Sequence, residues 1–143
     1  KDTEIRFIDR ASGNIYRFVH NPTSGLVNYS GQAFNATPFR VLSNGSATSA
    51  TDVSCSAVVP PIAKTLAVVI TNGTSGVVAF IGAGSGSYTV TSSVFDFIST
   101  GFTTFFSDIY GFTSCDSSQN ISYLNSAGGG GTYIQVFGWF LER

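Results

Sequence analysis

The last apolar run of the chain restricts its fold more than any other feature. It reads Tyr133-Ile134-Gln135-Val136-Phe137-Gly138-Trp139-Phe140-Leu141. In a β-strand, successive side chains point to opposite faces. One face would carry Tyr133, Gln135, Phe137, Trp139 and Leu141, and the other Ile134, Val136, Gly138 and Phe140. Both are mostly apolar, whereas a strand with one wet face alternates apolar and polar residues. The run therefore predicts a strand covered on both sides. The domain core supplies one cover, and a second subunit is a natural source of the other, because large apolar patches are seldom left open to water.

The rest of the chain reads as β throughout. Ile5–Ile8 and Ile15–Val19 flank a turn cluster from Asp9 to Asn14 and predict a hairpin. Short strands are expected around Leu26-Val27 and from Phe39 to Leu42, inside a loop-rich stretch from Asn21 to Asp52. Thr65–Thr71 and Val77–Ile81 are β-branched runs separated by a segment containing Asn72-Gly73, which predicts a second hairpin. Gly82 to Gly86 reads as a turn, Tyr88–Thr91 as a strand, and the aromatic stretch Phe95–Tyr110 as strands. Ser114 to Gly131 is polar and ends in four glycines, which predicts a loop. No internal repeat or heptad run is present. The expected fold is all-β: an antiparallel β-sandwich, jelly-roll-like, with a short N-terminal β segment or neck. Nearly all positive charge lies at or before Arg40, with only Lys64 and Arg143 after it. That shift predicts a boundary near residue 50, between an N-terminal hairpin or neck (1–50) and a sandwich domain (51–143).

Charge excludes several functions. Charged residues make up 10% of the 143, with 7 basic, 8 acidic and a net charge of -1; ordinary domains carry roughly a quarter. A nucleic-acid binder needs a basic patch for phosphate, and a polybasic membrane-surface protein needs the same. The apolar runs are too short to span a bilayer. Neither His nor Cys clusters with metal-ligand spacing, so no metal or cofactor is expected. His20 is the only imidazole and no G-x-S-x-G elbow occurs, which leaves nucleophilic catalysis without a base. Gly82-Ala83-Gly84-Ser85-Gly86 lacks the spacing of a phosphate cradle and reads as a structural turn. Asp96, Asp108 and Asp116 are the candidates for a glycosidase pair, but aspartates at turns commonly bond the backbone. A non-enzyme is expected.

Cys55 and Cys115 read as small buried hydrophobes, with one disulfide as the alternative. Five glycosylation triplets occur, at Asn28, Asn35, Asn44, Asn72 and Asn120; a chain this rich in Asn, Ser and Thr yields such triplets by chance. The chain opens Lys1-Asp2-Thr3 without an initiator Met, which reads as a piece of a longer polypeptide or a processed chain.

Carbohydrate binding fits this inventory. Aromatic faces stack on sugar C–H groups, and Asp, Asn, Ser and Thr direct hydrogen bonds to hydroxyls. Two long candidate loops, Ser99–Tyr110 and Thr113–Tyr123, carry these types together. Their candidate contacts are Thr103, Asp108, Tyr110, Asp116, Asn120 and Tyr123.

Val58-Val59-Pro60-Pro61-Ile62-Ala63-Lys64-Thr65-Leu66, followed by an apolar strand, and the ending Tyr133-Ile134-Gln135-Val136-Phe137-Gly138-Trp139-Phe140, resemble the distal C-terminal domains of bacteriophage tail fibres and tailspikes. The resemblance covers roughly residues 54–143. It implies a parallel homotrimer in the virion, binding a bacterial surface receptor such as lipopolysaccharide or capsule, with no fixed set of binding residues. Ile134, Val136, Trp139 and Phe140 are the expected trimer interface. The alternatives are a secreted lectin or a trimer like those of the tumour necrosis factor family, a purely structural trimerisation or capping domain, and a glycan hydrolase.

Overall fold

The computed structural model describes residues 3–8, 13, 15–24, 26–29, 39–101 and 107–140. They form β1 (Thr3–Ile8), β2 (Ile15–His20), β3 (Leu26–Tyr29), β4 (Arg40–Gly45), β5 (Thr51–Ser54) and β6 (Thr65–Asn72). Further along lie β7 (Val78–Ala83), β8 (Phe97–Thr100), β9 (Ser107–Ser114), β10 (Asn120–Asn125) and β11 (Thr132–Phe140). Among the described residues no helix is long and apolar enough to cross a membrane.

The chain is an all-β sandwich of two antiparallel sheets. Strands β4 to β11 distribute as β4-β11-β6-β9 in one layer and β5-β10-β7-β8 in the other. Every connection among them crosses between layers except β7 to β8, which gives the jelly-roll arrangement. The expected hairpin of β1 and β2 is present, and β2, β3 and β11 continue that ladder into the larger sheet. β6 runs along one whole edge of β11. The other edge is divided end to end, with β3 on Gly138–Phe140 and β4 on Thr132–Gln135. Both β3 and β4 precede residue 50, so the ladders cross the boundary that the charge distribution suggested.

The core lies between the layers. Leu66, Val68 and Ile70 point inward from β6, opposite Ala79 and Ile81 of β7 and Ile121 and Tyr123 of β10. Ala67 and Val69 point to the outer face of the larger sheet, in keeping with the two-residue period of a strand. Burial of each large core side chain contributes about 1.5–3 kcal/mol. Cys55 and Cys115 are buried thiols in this core that form no disulfide, as small hydrophobes would be.

Strand β11 breaks the alternation read from sequence. Its register against β6 shifts between Val136 and Gly138, so Phe137 is the extra residue of a β-bulge, which inverts the facing of Gly138, Trp139 and Phe140. Ile134, Val136 and Trp139 consequently all enter the chain's own core, each at most 1% exposed. They are not available as a trimer interface. Of the four residues expected there, only Phe140 stands on the outer face, packed edge-on against Phe112.

The second expected hairpin is also absent. β6 and β7 belong to different layers, so the Asn72–Val77 link is a corner between sheets. The Asn72 side chain is fully buried; its Nδ2 donates to the Val77 carbonyl at 2.9 Å, and its Oδ1 accepts from the Thr74 amide at 3.1 Å. Gly76 turns the chain at φ 72°, a left-handed conformation that glycine adopts without strain. Tyr88–Thr91 is not a strand, its only pairing being an isolated Thr91–Val94 bridge. The polar stretch Ser114–Gly131 is not one loop, because β10 runs through its middle. Ser122 and Asn125 are buried there, satisfied by Asp52, by the Gly45 carbonyl and by Thr132.

Candidate functional site

Among the described residues, strand β9 carries the most exposed aromatic surface of the larger sheet. Thr113 points inward, while Asp108, Tyr110 and Phe112 point out. Tyr110 is 59% exposed and Phe112 56%. The small outward residues of β6 let rings from both flanking strands lean together above them. Tyr110 meets Phe137 at 5.9 Å between centroids, and Phe112 meets Phe140 at 5.2 Å, both edge-on. This is a favoured aromatic geometry. Ala67 and Val69, register partners of Phe112 and Tyr110, are buried beneath. At the β4 end, the Arg40 guanidinium stacks over Tyr133 at 5.3 Å.

The six sequence candidates for glycan contact do not gather into one place. Asp108 and Tyr110 share the exposed face of β9, and the Thr71 hydroxyl donates to Asp108 Oδ1. Asp116 is 5% exposed and holds the turn before β10: it accepts from the amides of Ser118 (2.9 Å) and Asn120 (2.8 Å). It also accepts from the Gly86 amide and from Asn120 Nδ2. Asn120 is thus tied to that turn. Tyr123 is buried in the core, its hydroxyl accepting from the Ala47 amide at 3.2 Å. Thr103 lies outside the described residues.

The carboxylates considered for hydrolysis serve as structural acceptors. Asp96 Oδ2 takes the Thr113 hydroxyl and the Ser114 amide, both at 2.8 Å, and Oδ1 takes the Tyr88 hydroxyl at 2.6 Å. Asp96 therefore fastens the segment before β8 to β9 in the opposite layer. Burial and the Asp96 bond push the Tyr88 phenol up. Asp52 accepts from Ser122 and from the hydroxyl and amide of Ser85. Against the desolvation of its site, these bonds hold Asp52 below the ordinary carboxylate range. Among the described residues no cluster of His, Cys, Asp or Glu is arranged to hold a metal.

Of the five glycosylation triplets, Asn72 is fully buried with its amide engaged, which rules out a glycan there in the folded chain. Asn44 is exposed at φ 56° and accepts from the Gly131 amide.

A second surface was not visible in the sequence. The outer face of the smaller sheet holds a cavity of about 470 Å³, whose lining includes Thr48, Phe80, Thr89, Ser92 and Leu124. Its residues come from separate stretches of chain, so no local pattern announces it.

The sequence matches no protein-family model and no curated protein. The class that the fold defines is a jelly-roll β-sandwich with an open aromatic face.

Proposed function

We propose that the chain is a homotrimeric receptor-binding module at the tip of a phage tail fibre, acting without catalysis on a bacterial surface glycan such as lipopolysaccharide or capsule. The observation that carries this reading is the pair of exposed aromatics, Tyr110 and Phe112, on the outer face of β9. Such a face gains by association, since burying each ring removes apolar surface from water. With Ile134, Val136 and Trp139 committed to the core, the subunit contact falls to Tyr110, Phe112 and Phe140. A surface solubilised by Ser, Thr and Asn suits hydroxyl recognition.

Light scattering on the purified chain at micromolar concentration should give the mass of three chains. The double variant Tyr110→Glu/Phe112→Glu should run as a monomer with unchanged β circular dichroism. A wild-type monomer would sink the assembly claim. Glycan capture by the wild-type oligomer tests recognition, and its absence would favour a purely structural trimerisation domain. Jelly rolls also occur among lectins, and an occupied Asn44 in native material would favour a secreted lectin.

A further inference from the structure

The groove on the outer face of the smaller sheet is built rather than incidental. β7 and β10 turn Ala79, Ile81, Ile121 and Tyr123 into the core, which leaves Phe80 and its register partner Leu124 facing out. These two apolar side chains form the floor. One wall is the segment from Thr48 to Ala50. It is fixed by Asn125, whose backbone N–H donates to the Ala47 carbonyl and whose Nδ2 donates to the Gly45 carbonyl. The other wall is the segment from Thr89 to Ser92. It is anchored on one side by buried Val90 and on the other by Phe95, whose ring packs on Phe80 at 5.3 Å. The Tyr88 hydroxyl accepts from the Ala83 amide and ties the same segment to β7.

The lining is chemically selective. Among the described residues no charged side chain lines the cavity of about 470 Å³, a size within the range of about 300–1,000 Å³ usual for small-ligand sites. The hydroxyls of Thr48, Thr89 and Ser92 are on exposed residues and make no hydrogen bond with any described residue. The Ser126 hydroxyl accepts from the Val78 amide and keeps its proton to donate. Hydroxyls donate and accept alike, so they suit a ligand whose own groups do both. A carboxylate or phosphate placed here would lose water without gaining a counter-charge.

We propose that this groove binds a neutral saccharide, with a sugar ring on the Phe80–Leu124 floor and its hydroxyls bonded to Thr48, Thr89 and Ser92. The proposal rests on the glycan-binding reading and deepens it, naming the uncharged glycan class and a place for it away from Asp108 and Tyr110.

The test is a titration of the isotope-labelled, oligomeric protein with maltotetraose, mannotetraose and a galactan-derived tetrasaccharide. A hyaluronan tetrasaccharide serves as the acidic counterpart. Amide shifts should appear at residues 48–50, 89–92 and 124–126 with at least one neutral sugar, and not with hyaluronan. Phe80→Ala should weaken binding about tenfold. Because Phe80 also packs on Phe95, Thr89→Asp and Ser92→Asp supply the same test at exposed positions with the floor intact. No groove shift with any neutral sugar overturns the proposal, as does equal binding of hyaluronan. Neutral-sugar binding that all three variants leave intact while Asp108→Ala removes it overturns the groove assignment and leaves the glycan reading standing. Binding of no sugar to the wild-type oligomer overturns both.

Discussion

Replacing Asn72 with alanine removes the clamp on the corner where the chain leaves one sheet for the other. The Asn72 amide makes two bonds, donating to the Val77 carbonyl and accepting from the Thr74 amide. The Val77 carbonyl also accepts from the Gly101 amide at 2.9 Å, so Asn72→Ala takes one of its two bonds and leaves the half-buried Thr74 amide without its acceptor. A lost hydrogen bond to a carbonyl that keeps another donor costs about 0.5–1.5 kcal/mol, and an unsatisfied half-buried amide belongs near the low end of about 1–3 kcal/mol. The sum is about 1.5–2.5 kcal/mol, a substantial fraction of the stability of a single domain. With a urea slope of about 2 kcal/mol/M, the unfolding midpoint should fall by about 1 M at unchanged slope. Asn72→Asp should be at least as damaging, because it keeps the acceptor for Thr74 but turns the donor facing Val77 into a buried carboxylate. Both variants are compared with wild type at one protein concentration, since assembly contributes to apparent stability. A loss below about 0.5 kcal/mol for Asn72→Ala, the level of an ordinary surface change, would refute the role given to this amide.

Three further outcomes are expected. Burial first, then the neighbouring Cys115 thiol, push the Cys55 thiol up to about 12 from an ordinary 9.0. Because the folded value is raised, this contribution is complete below pH 9 and is lost as pH climbs toward 12, reaching about 4 kcal/mol at about 1.4 kcal/mol per pH unit. Urea midpoints at pH 8 and 10.5 should show a decline that Cys55→Ala flattens; a parallel decline in the variant would refute it. Asp52 is held below its ordinary value, so its contribution is present above about pH 4 and lost as pH falls through that range. Ser122→Ala, which removes one of its hydrogen bonds, should make the acid limb of stability shallower between pH 5 and 3, measured by the same urea midpoints. Gly101 is buried, and a Cβ there would collide with the Thr74 carbonyl. Gly101→Ala should therefore cost about 1–3 kcal/mol in a urea melt; an unchanged midpoint would mean that the corner yields freely.

Local signals in the sequence worked where the strand period was undisturbed. Thr65–Thr71 shows it: Leu66, Val68 and Ile70 enter the core, while Ala67 and Val69 face out. They failed where a single residue changed the phase. The bulge at Phe137 is invisible in Tyr133–Phe140, yet it decides that Trp139 joins Ile134 and Val136 inside. Asn72-Gly73 carries the chemistry of a hairpin turn, but the Asn72 side chain engages Val77 and Thr74 across a corner instead. Strand β10 escaped notice because its buried polar residues, Ser122 and Asn125, are satisfied by partners more than 60 residues away, Asp52 and the Gly45 carbonyl. Of the candidate site, Asp108 and Tyr110 were expected in a binding segment that ends at Tyr110, whereas the structure sets both on the exposed face of a strand, β9. The burial of Asp116 and Tyr123 was not legible.

The sequence by itself determined the class of structure. Short β-branched and aromatic runs, separated by Gly, Asn and Ser and free of helical period, leave little but layered sheets. Only the tertiary structure decided which faces remain open. It placed Tyr110 and Phe112 outside by arching their rings over two small residues of β6. It drew Trp139 inside through one extra residue. It brought Thr48, Phe80, Thr89 and Ser92 around a common groove. Facing and convergence depend on register and on pairings between distant strands, and neither is encoded in any local stretch of chain.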